Sequence, residues 1–328
     1  MKYKKLKYPI YFVLAITMIL PVSCLKDDNE AEEKENQIIK TYVTNNAGFV
    51  ANTSGMYYKQ LSEGTGTSPK ATDMVIISYK AWKLETLGLF DTSDQSEATL
   101  YSLTGKTLLS TEGPLKIAVS GSYGFYAIGV SQALLTMKEG GSAYIIVPGS
   151  LGLGNNTPLL FQVNLLKVIS NPQQFERDQI SKYLTDNTNL TLADSIGAHS
   201  STSSDSTGLW IFNKTEGTGN LPVIGDSVYI TYSLKFIPYS EDPYLDVPER
   251  TIVSNASIRI KLNYTNLIEG FTGAVRLIKD QGRATVIIPN HKAYGAAIAY
   301  TPSTGQVAIP QYSTLIYDMQ ITKVKKNN

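Results

Sequence analysis

With 328 residues, 42% hydrophobic and 17% charged, the chain is long enough for two globular domains and too apolar for a disordered tail protein. Its formal charge is +1, and removing the first 23 residues, which hold four lysines and no carboxylate, turns this to −3, so nucleic acid is excluded as an electrostatic partner. A single cysteine excludes an internal disulfide and a cysteine-built metal cluster.

The chain begins with Lys2, Lys4, Lys5 and Lys7, then the apolar run from Ile10 to Leu20, then Ser23-Cys24. This order predicts a signal peptide over 1–23. The run is well short of the roughly 20 residues that a membrane-spanning helix needs. Pro21-Val22-Ser23-Cys24 resembles a bacterial lipobox, with Pro21 where leucine is usual. The resemblance implies lipidation at Cys24 and attachment to a membrane without a spanning helix. The expected location is the bacterial envelope, as an outer-membrane lipoprotein on the periplasmic or the outer side. Residues 24–34 carry Asp27, Asp28, Glu30, Glu32 and Glu33 and are expected to form an acidic tether. Similar runs act as export signals on some surface lipoproteins; a solvated spacer accounts for the composition equally well.

After the tether the sequence repeats. Glu35, Ile39, Tyr42, Thr44 and Asn46 return as Glu176, Ile180, Tyr183, Thr185 and Asn187, a constant offset of 141. Ile38, Ile39, Tyr42 and Val43 make one helical stripe, so each copy opens with a short amphipathic helix, expected to pack on a neighbouring domain or to act as a spacer. Gly55, the Glu63-Gly64-Thr65-Gly66 run and Tyr79 return as Gly208, Glu216-Gly217-Thr218-Gly219 and Tyr232, now offset by 153. The Gly-Thr-Gly runs lack a following Lys-Ser/Thr and read as tight turns, not phosphate loops. The twelve additional residues fall in a Ser/Thr/Asp-rich linker from Leu190 to Thr207.

Val228, Ile230, Tyr232, Leu234 and Phe236 alternate with Tyr229, Thr231, Ser233 and Lys235, and the matching first-copy positions are Val75, Ile77, Tyr79, Ala81 and Lys83. Leu159, Phe161, Val163 and Leu165 close the first copy; Leu315, Tyr317, Met319 and Ile321 close the second. Period two marks half-buried strands. Between them, Ala274, Val275 and Ile278 have helical spacing. The domain reading is 35–170 and 208–328, joined by a helix and linker over 171–207.

Three blocks of the second copy, Leu267-Ile268-Glu269-Gly270-Phe271, Ala293-Tyr294-Gly295 and Ile309-Pro310 through Thr314-Leu315-Ile316-Tyr317-Asp318, resemble the FKBP-type peptidyl-prolyl cis-trans isomerases in order and spacing. The resemblance implies an α+β fold: two domains, each a curved antiparallel sheet wrapped around a short helix, with helical leaders. It implies action on proline-containing polypeptides with no cofactor and no metal. In the second copy it assigns Phe271 to the pocket floor, where the family usually has tryptophan, and Tyr232 and Tyr317 to the walls. Leu267 and Ile268 form the rim, with the Ile268 N–H facing ligand, and Ile309 lines the loop side. Tyr294 donates its hydroxyl to a peptide carbonyl, Leu245 is a wall residue and Asp246 a polar contact. His291 is read as a surface loop residue.

The first copy departs from this pattern. Tyr79, Phe90, Asp91 and Phe161 match, but Val130 replaces the floor aromatic and Gly152-Leu153-Gly154 lacks the tyrosine. The loop after it is reduced to three residues before Pro158. This copy is expected to be weak or inactive, with the segment from Gly121 to Ile128 filling its pocket. The alternative reading of the whole chain is a non-catalytic, lipid-anchored peptide-binding scaffold.

Overall fold

The computed structural model describes residues 23–103, 113–120, 125, 127–190, 208–237, 250–263, 267–300 and 307–327. The signal segment 1–22 and the candidates Leu245 and Asp246 lie outside the described residues, and of Cys24 only the backbone is described.

Among the described residues two large antiparallel sheets follow one another along the chain, and a two-stranded ribbon accompanies the second. The first unit contains α1 (Ser23–Asn45), β1 (Val50–Ala51), β2 (Tyr57–Ser62), β3 (Met74–Lys83), β4 (Gly88–Thr92), α2 (Gln95–Leu100), β5 (Leu115–Ala118), α3 (Ile128–Leu134), β6 (Ser142–Val147) and β7 (Leu159–Ile169). The second contains α4 (Pro172–Asp186), β8 (Trp210–Thr215), β9 (Ser227–Phe236), β10 (Arg250–Lys261), α5 (Glu269–Val275), β11 (Arg283–Ile288), β12 (Ala299–Tyr300), β13 (Val307–Ile309) and β14 (Leu315–Lys325).

The first sheet runs β1-β2-β6-β7-β3-β4, with β5 also on β3; the second runs β10-β9-β14-β11-β8. Strand for strand, β2-β6-β7-β3 is repeated by β8-β11-β14-β9. The bulged, 12-residue β10 does alone what β4 and β5 divide between them along β3. The division comes from α2, whose N-cap Asp94 accepts from the Ser96 and Glu97 N–H groups. The α+β architecture expected from sequence is therefore the one observed.

The period-2 residues face inward as expected: Leu315, Tyr317, Met319 and Ile321 are all buried on the side of α5. Ile316 is buried too, because the opposite face of this central strand lies under α4. Helix α5 approaches the sheet closely. A Cβ on Gly270 would lie 2.3 Å from Ile288 Cγ2, so only glycine lets the helix, and Phe271 with it, sit at this depth. The Gly-Thr-Gly runs are tight turns: Gly217 has φ +81°, and the Thr218 and Gly219 N–H groups donate to the Asp280 carbonyl.

One expectation changes. The acidic segment is not a separate tether, since α1 starts at Ser23 and runs unbroken through the leader. Residues 23–45 contain no glycine or proline and are rich in Glu and Lys, good helix formers that read as a solvated tether by charge alone. Of the two roles expected of the leaders, packing is the one observed. Ile39 of α1 is buried with Leu84, Ile146 and Leu160 on the outer face of the first sheet. Ile180 of α4 does the same with Phe212, Ile287 and Ile316 on the second. Phe175, at the start of α4, packs on Met74, Ile76 and Ile169 of the first unit, so α4 bridges both. Tyr312 joins that cluster, and Gln311 Nε2 donates to the Lys116 carbonyl at 3.2 Å. Among the described residues, no helix is long and apolar enough to cross a membrane.

Candidate active site

Strands β9 and β14 are neighbours, with Tyr232 paired to Met319 and Leu234 to Tyr317. This register puts Tyr232 and Tyr317 on the inner face one diagonal apart, 5.7 Å between ring centres. Phe271, carried in by α5, stands edge-on to both, 5.2 Å from Tyr317 and 6.0 Å from Tyr232. Phe271 and Tyr317 are 4% and 5% exposed, whereas Tyr232 is half-buried and opens the group toward solvent. The three rings that sequence assigned to floor and walls are thus one cluster.

Tyr294 follows the 3-10 turn Asn290–Lys292 and remains 38% exposed. Burial, and the nearness of Tyr232, push its hydroxyl above the usual tyrosine range. Burial pushes Tyr317 up much further, helped by Tyr294 and Tyr232. The Tyr294 and Tyr317 phenols therefore share one poorly solvated space and stay protonated, as donors, at neutral pH. Ile309 is buried beneath this site, and Leu267 and Ile268 are half-buried at its edge. Ile268 is the N-cap of α5, and among the described residues nothing accepts from its N–H. A peptide carbonyl would meet two kinds of donor here, a phenol and a helix-cap amide, above an aromatic floor. His291 is exposed, as read from sequence.

The turn carrying Tyr294 is held from a distance. The buried Glu176 of α4 accepts from the Asn290 N–H and from Asn290 Nδ2, each at 2.7 Å, and from the Thr314 hydroxyl. The sequence repeat singled out Glu35 and Glu176 but not this role. The equal spacing of 114 residues, Glu35 to Gly149 and Glu176 to Asn290, was the available signal.

The first unit is closed where the second is open. Tyr79 and Phe161, at the wall positions, are fully buried, and the Tyr79 hydroxyl donates to Asp91 Oδ2 at 2.8 Å. Phe90 packs against the same core. Val130 leaves the floor short, and Phe125 takes up the space. Its ring stands edge-on to Tyr79 at 4.9 Å and to Phe161 at 5.7 Å, the double contact that Phe271 makes in the second unit. The described part of the Gly121–Ile128 segment thus fills the site, as expected from its sequence.

Residues 219–322 match the family model for FKBP-type peptidyl-prolyl cis-trans isomerase. The FKBP-type peptidyl-prolyl cis-trans isomerase FkpA of Escherichia coli K12 is 25% identical over 154 residues, which is 44% of this chain and 48% of the relative. The chain thus matches about half the length of the curated relatives. Solved structures similar to it include FkpA from Escherichia coli (23% identity, 44% of this chain, 64% of that one, TM-score 0.34). Another is the three FKBP domains of wheat FKBP73 (18% identity, 84% of this chain, 97% of that one, TM-score 0.31). By its matching motifs and its family model, the second unit belongs to the FKBP-type peptidyl-prolyl cis-trans isomerase family.

Proposed function

We propose that the second unit catalyses cis–trans isomerisation of X-Pro bonds in polypeptides of the bacterial envelope. The observation that carries this reading is the half-exposed Tyr294 hydroxyl and the Ile268 N–H at the mouth of the Phe271–Tyr232–Tyr317 cluster. Rotation about the amide crosses a barrier of about 18–20 kcal/mol, because the planar state is resonance-stabilised. The planar amide is also the more polar state. An aromatic, water-poor site therefore disfavours it more than the twisted one. The donors hold the flanking carbonyls while the prolyl ring lies on Phe271. No nucleophile or proton transfer is required of the chain.

A prolyl isomerisation assay on residues 24–328 tests this. Acceleration that falls at least tenfold in Phe271→Ala supports it. A folded protein without acceleration, across several residues preceding proline, overturns it in favour of a binding scaffold.

The first unit is read as non-catalytic, on the buried Phe125 and the missing tyrosine. Cys24 is proposed as the lipidated residue that anchors the chain, in an outer-membrane lipoprotein of either face. Its test is loss of membrane fractionation in Cys24→Ala. The proposed domain limits are 35–170 and 208–328.

A further inference from the structure

On the outer face of the first sheet, opposite the core that holds Tyr79, the end of α1 and the strands beneath it enclose a cleft of about 300 Å³. Four aromatic side chains line it: Tyr42 from the helix, Phe49 just beyond it, Trp82 from β3 and Tyr144 from β6. All four are only partly buried.

The second unit shows the same place filled. By the repeat, Lys59 corresponds to Phe212, Trp82 to Lys235, Tyr144 to Thr285 and Phe49 to Leu190. Phe212 and Leu190 are buried there with Ile180 and Ile316, and they seal the seam between α4 and the sheet. In the first unit a lysine stands where that ring would be. It turns outward: its Nζ donates to the Ala47 carbonyl at 2.7 Å and lies 5.7 Å from the Phe49 ring centre. The filler is gone from the middle of the seam, and large rings have replaced small or charged side chains on its floor. Plain core packing does not account for both changes, since the rings leave the space open.

A second observation marks the lip. Leu87 also lines the cleft, with φ +53° and 53% of its surface exposed. A leucine in left-handed backbone is uncommon, and glycine or asparagine would hold this turn at lower cost. Here a large apolar side chain is held beside the cleft against both backbone preference and solvation.

We propose that this cleft binds a proline-rich, extended stretch of polypeptide, at a site separate from the pocket of the second unit. A polyproline II strand offers flat ring faces and outward carbonyls, and its prolines have no N–H to donate. The cleft supplies the complement: aromatic faces for the rings, and the Tyr42 and Tyr144 hydroxyls with the Lys59 ammonium for the carbonyls. No carboxylate lines it, and the Lys59 ammonium already lies over the Phe49 ring, so a second cation would meet a like charge and no counter-ion. Its volume is at the lower end of the range for ligand clefts, which suits a short stretch of chain. The proposal does not depend on isomerase activity.

The test uses residues 24–328 carrying Trp210→Phe, so that tryptophan emission reports Trp82 alone. The protein is titrated with a tryptophan-free decaproline peptide and, in parallel, with maltohexaose. The expected result is a saturable change with the peptide only. Lys59→Phe, which restores the filler of the second unit, is expected to weaken it at least tenfold. Tyr144→Thr, which removes a ring without filling the space, is expected to weaken it about fivefold. No saturable change up to millimolar peptide overturns the proposal. So does a change that survives both substitutions, because the peptide is then bound elsewhere. A response to the saccharide and not to the peptide overturns the ligand class.

Discussion

Glu176 and Asn290, 114 residues apart, are joined twice: the Asn290 N–H donates to Oε1 and its side-chain amide to Oε2, both at 2.7 Å. Glu35 accepts the Gly149 N–H across the same separation in the first unit. In each case the donor opens a 3-10 turn just after a proline, where the first N–H groups have no partner inside the turn. The leader helix supplies the missing acceptor, so it is part of the fold that follows it.

Removing that acceptor leaves buried donors unpaired. Glu176→Ala is expected to destabilise the second unit by on the order of 3 kcal/mol, and Glu176→Gln by less, since the amide oxygen still accepts. Urea denaturation of residues 24–328 measures this. Amide exchange at Asn290 should rise in the same order. An unchanged midpoint in Glu176→Ala would show that the helix merely lies alongside.

The junction between the units contains a lysine in a poor environment. Burial lowers Lys116 to about 8, with Glu176 acting in the opposite direction, and its ammonium lies 5.9 Å from the Phe175 ring centre. In the unfolded chain it titrates near its ordinary value of about 10.4. Between these values the unfolded state holds the extra proton, so stability rises with pH through that window. Below about pH 8 the full penalty is present, up to about 3 kcal/mol from the shift alone. Lys116→Met should therefore be more stable than the parent at pH 7. The difference should shrink as pH approaches 10. Melting curves of both proteins at pH 7, 8.5 and 10 decide this; a constant difference would place the ammonium in water.

Phe125 is the element on which closure of the first unit rests. Phe125→Ala empties the space between Tyr79 and Phe161 and should cost about 3–5 kcal/mol, as large-to-small core changes do. Adding Val130→Phe should recover part of the loss, because a ring at that position can reach the same two walls, as Phe271 does. Chemical denaturation of the single and double variants reads the recovery. If Phe125→Ala costs under 1 kcal/mol, the ring is not a core element.

Much of this was legible in the sequence. Leu315, Tyr317, Met319 and Ile321 announced their strand by period alone, and the offsets of 141 and 153 announced two units. Phe271, Tyr232 and Tyr317 came together because motif order and strand register agree. Other features leave no local pattern. The Glu176–Asn290 pair is made by helix docking, across 114 residues. The helical start of α1 was hidden because charge suggests a solvated spacer while propensity favours a helix, and here propensity prevailed. The cleft under α1 became visible only when Lys59, Trp82 and Tyr144 were set against Phe212, Lys235 and Thr285 in space.

Tyr294 carries the most specific prediction about the proposed chemistry. Its hydroxyl is held above the usual tyrosine range, first by burial and then by Tyr232, so it keeps its proton beyond about pH 10. A rate that depends on this donor should stay flat from pH 6 to pH 10. It should fall only above that range, where the phenolate forms and donation is lost. Tyr294→Phe removes the donor and keeps the ring. One neutral hydrogen bond contributes about 0.5–1.5 kcal/mol, so kcat/KM should drop roughly 2- to 10-fold. The residual rate should lose the alkaline limb that the parent shows. Phe271→Ala, by contrast, should lower the rate more and leave the shape of the profile intact. A profile already falling at pH 8, or an unaltered alkaline limb in Tyr294→Phe, would remove the hydroxyl from the reaction and leave the aromatic floor to act without it.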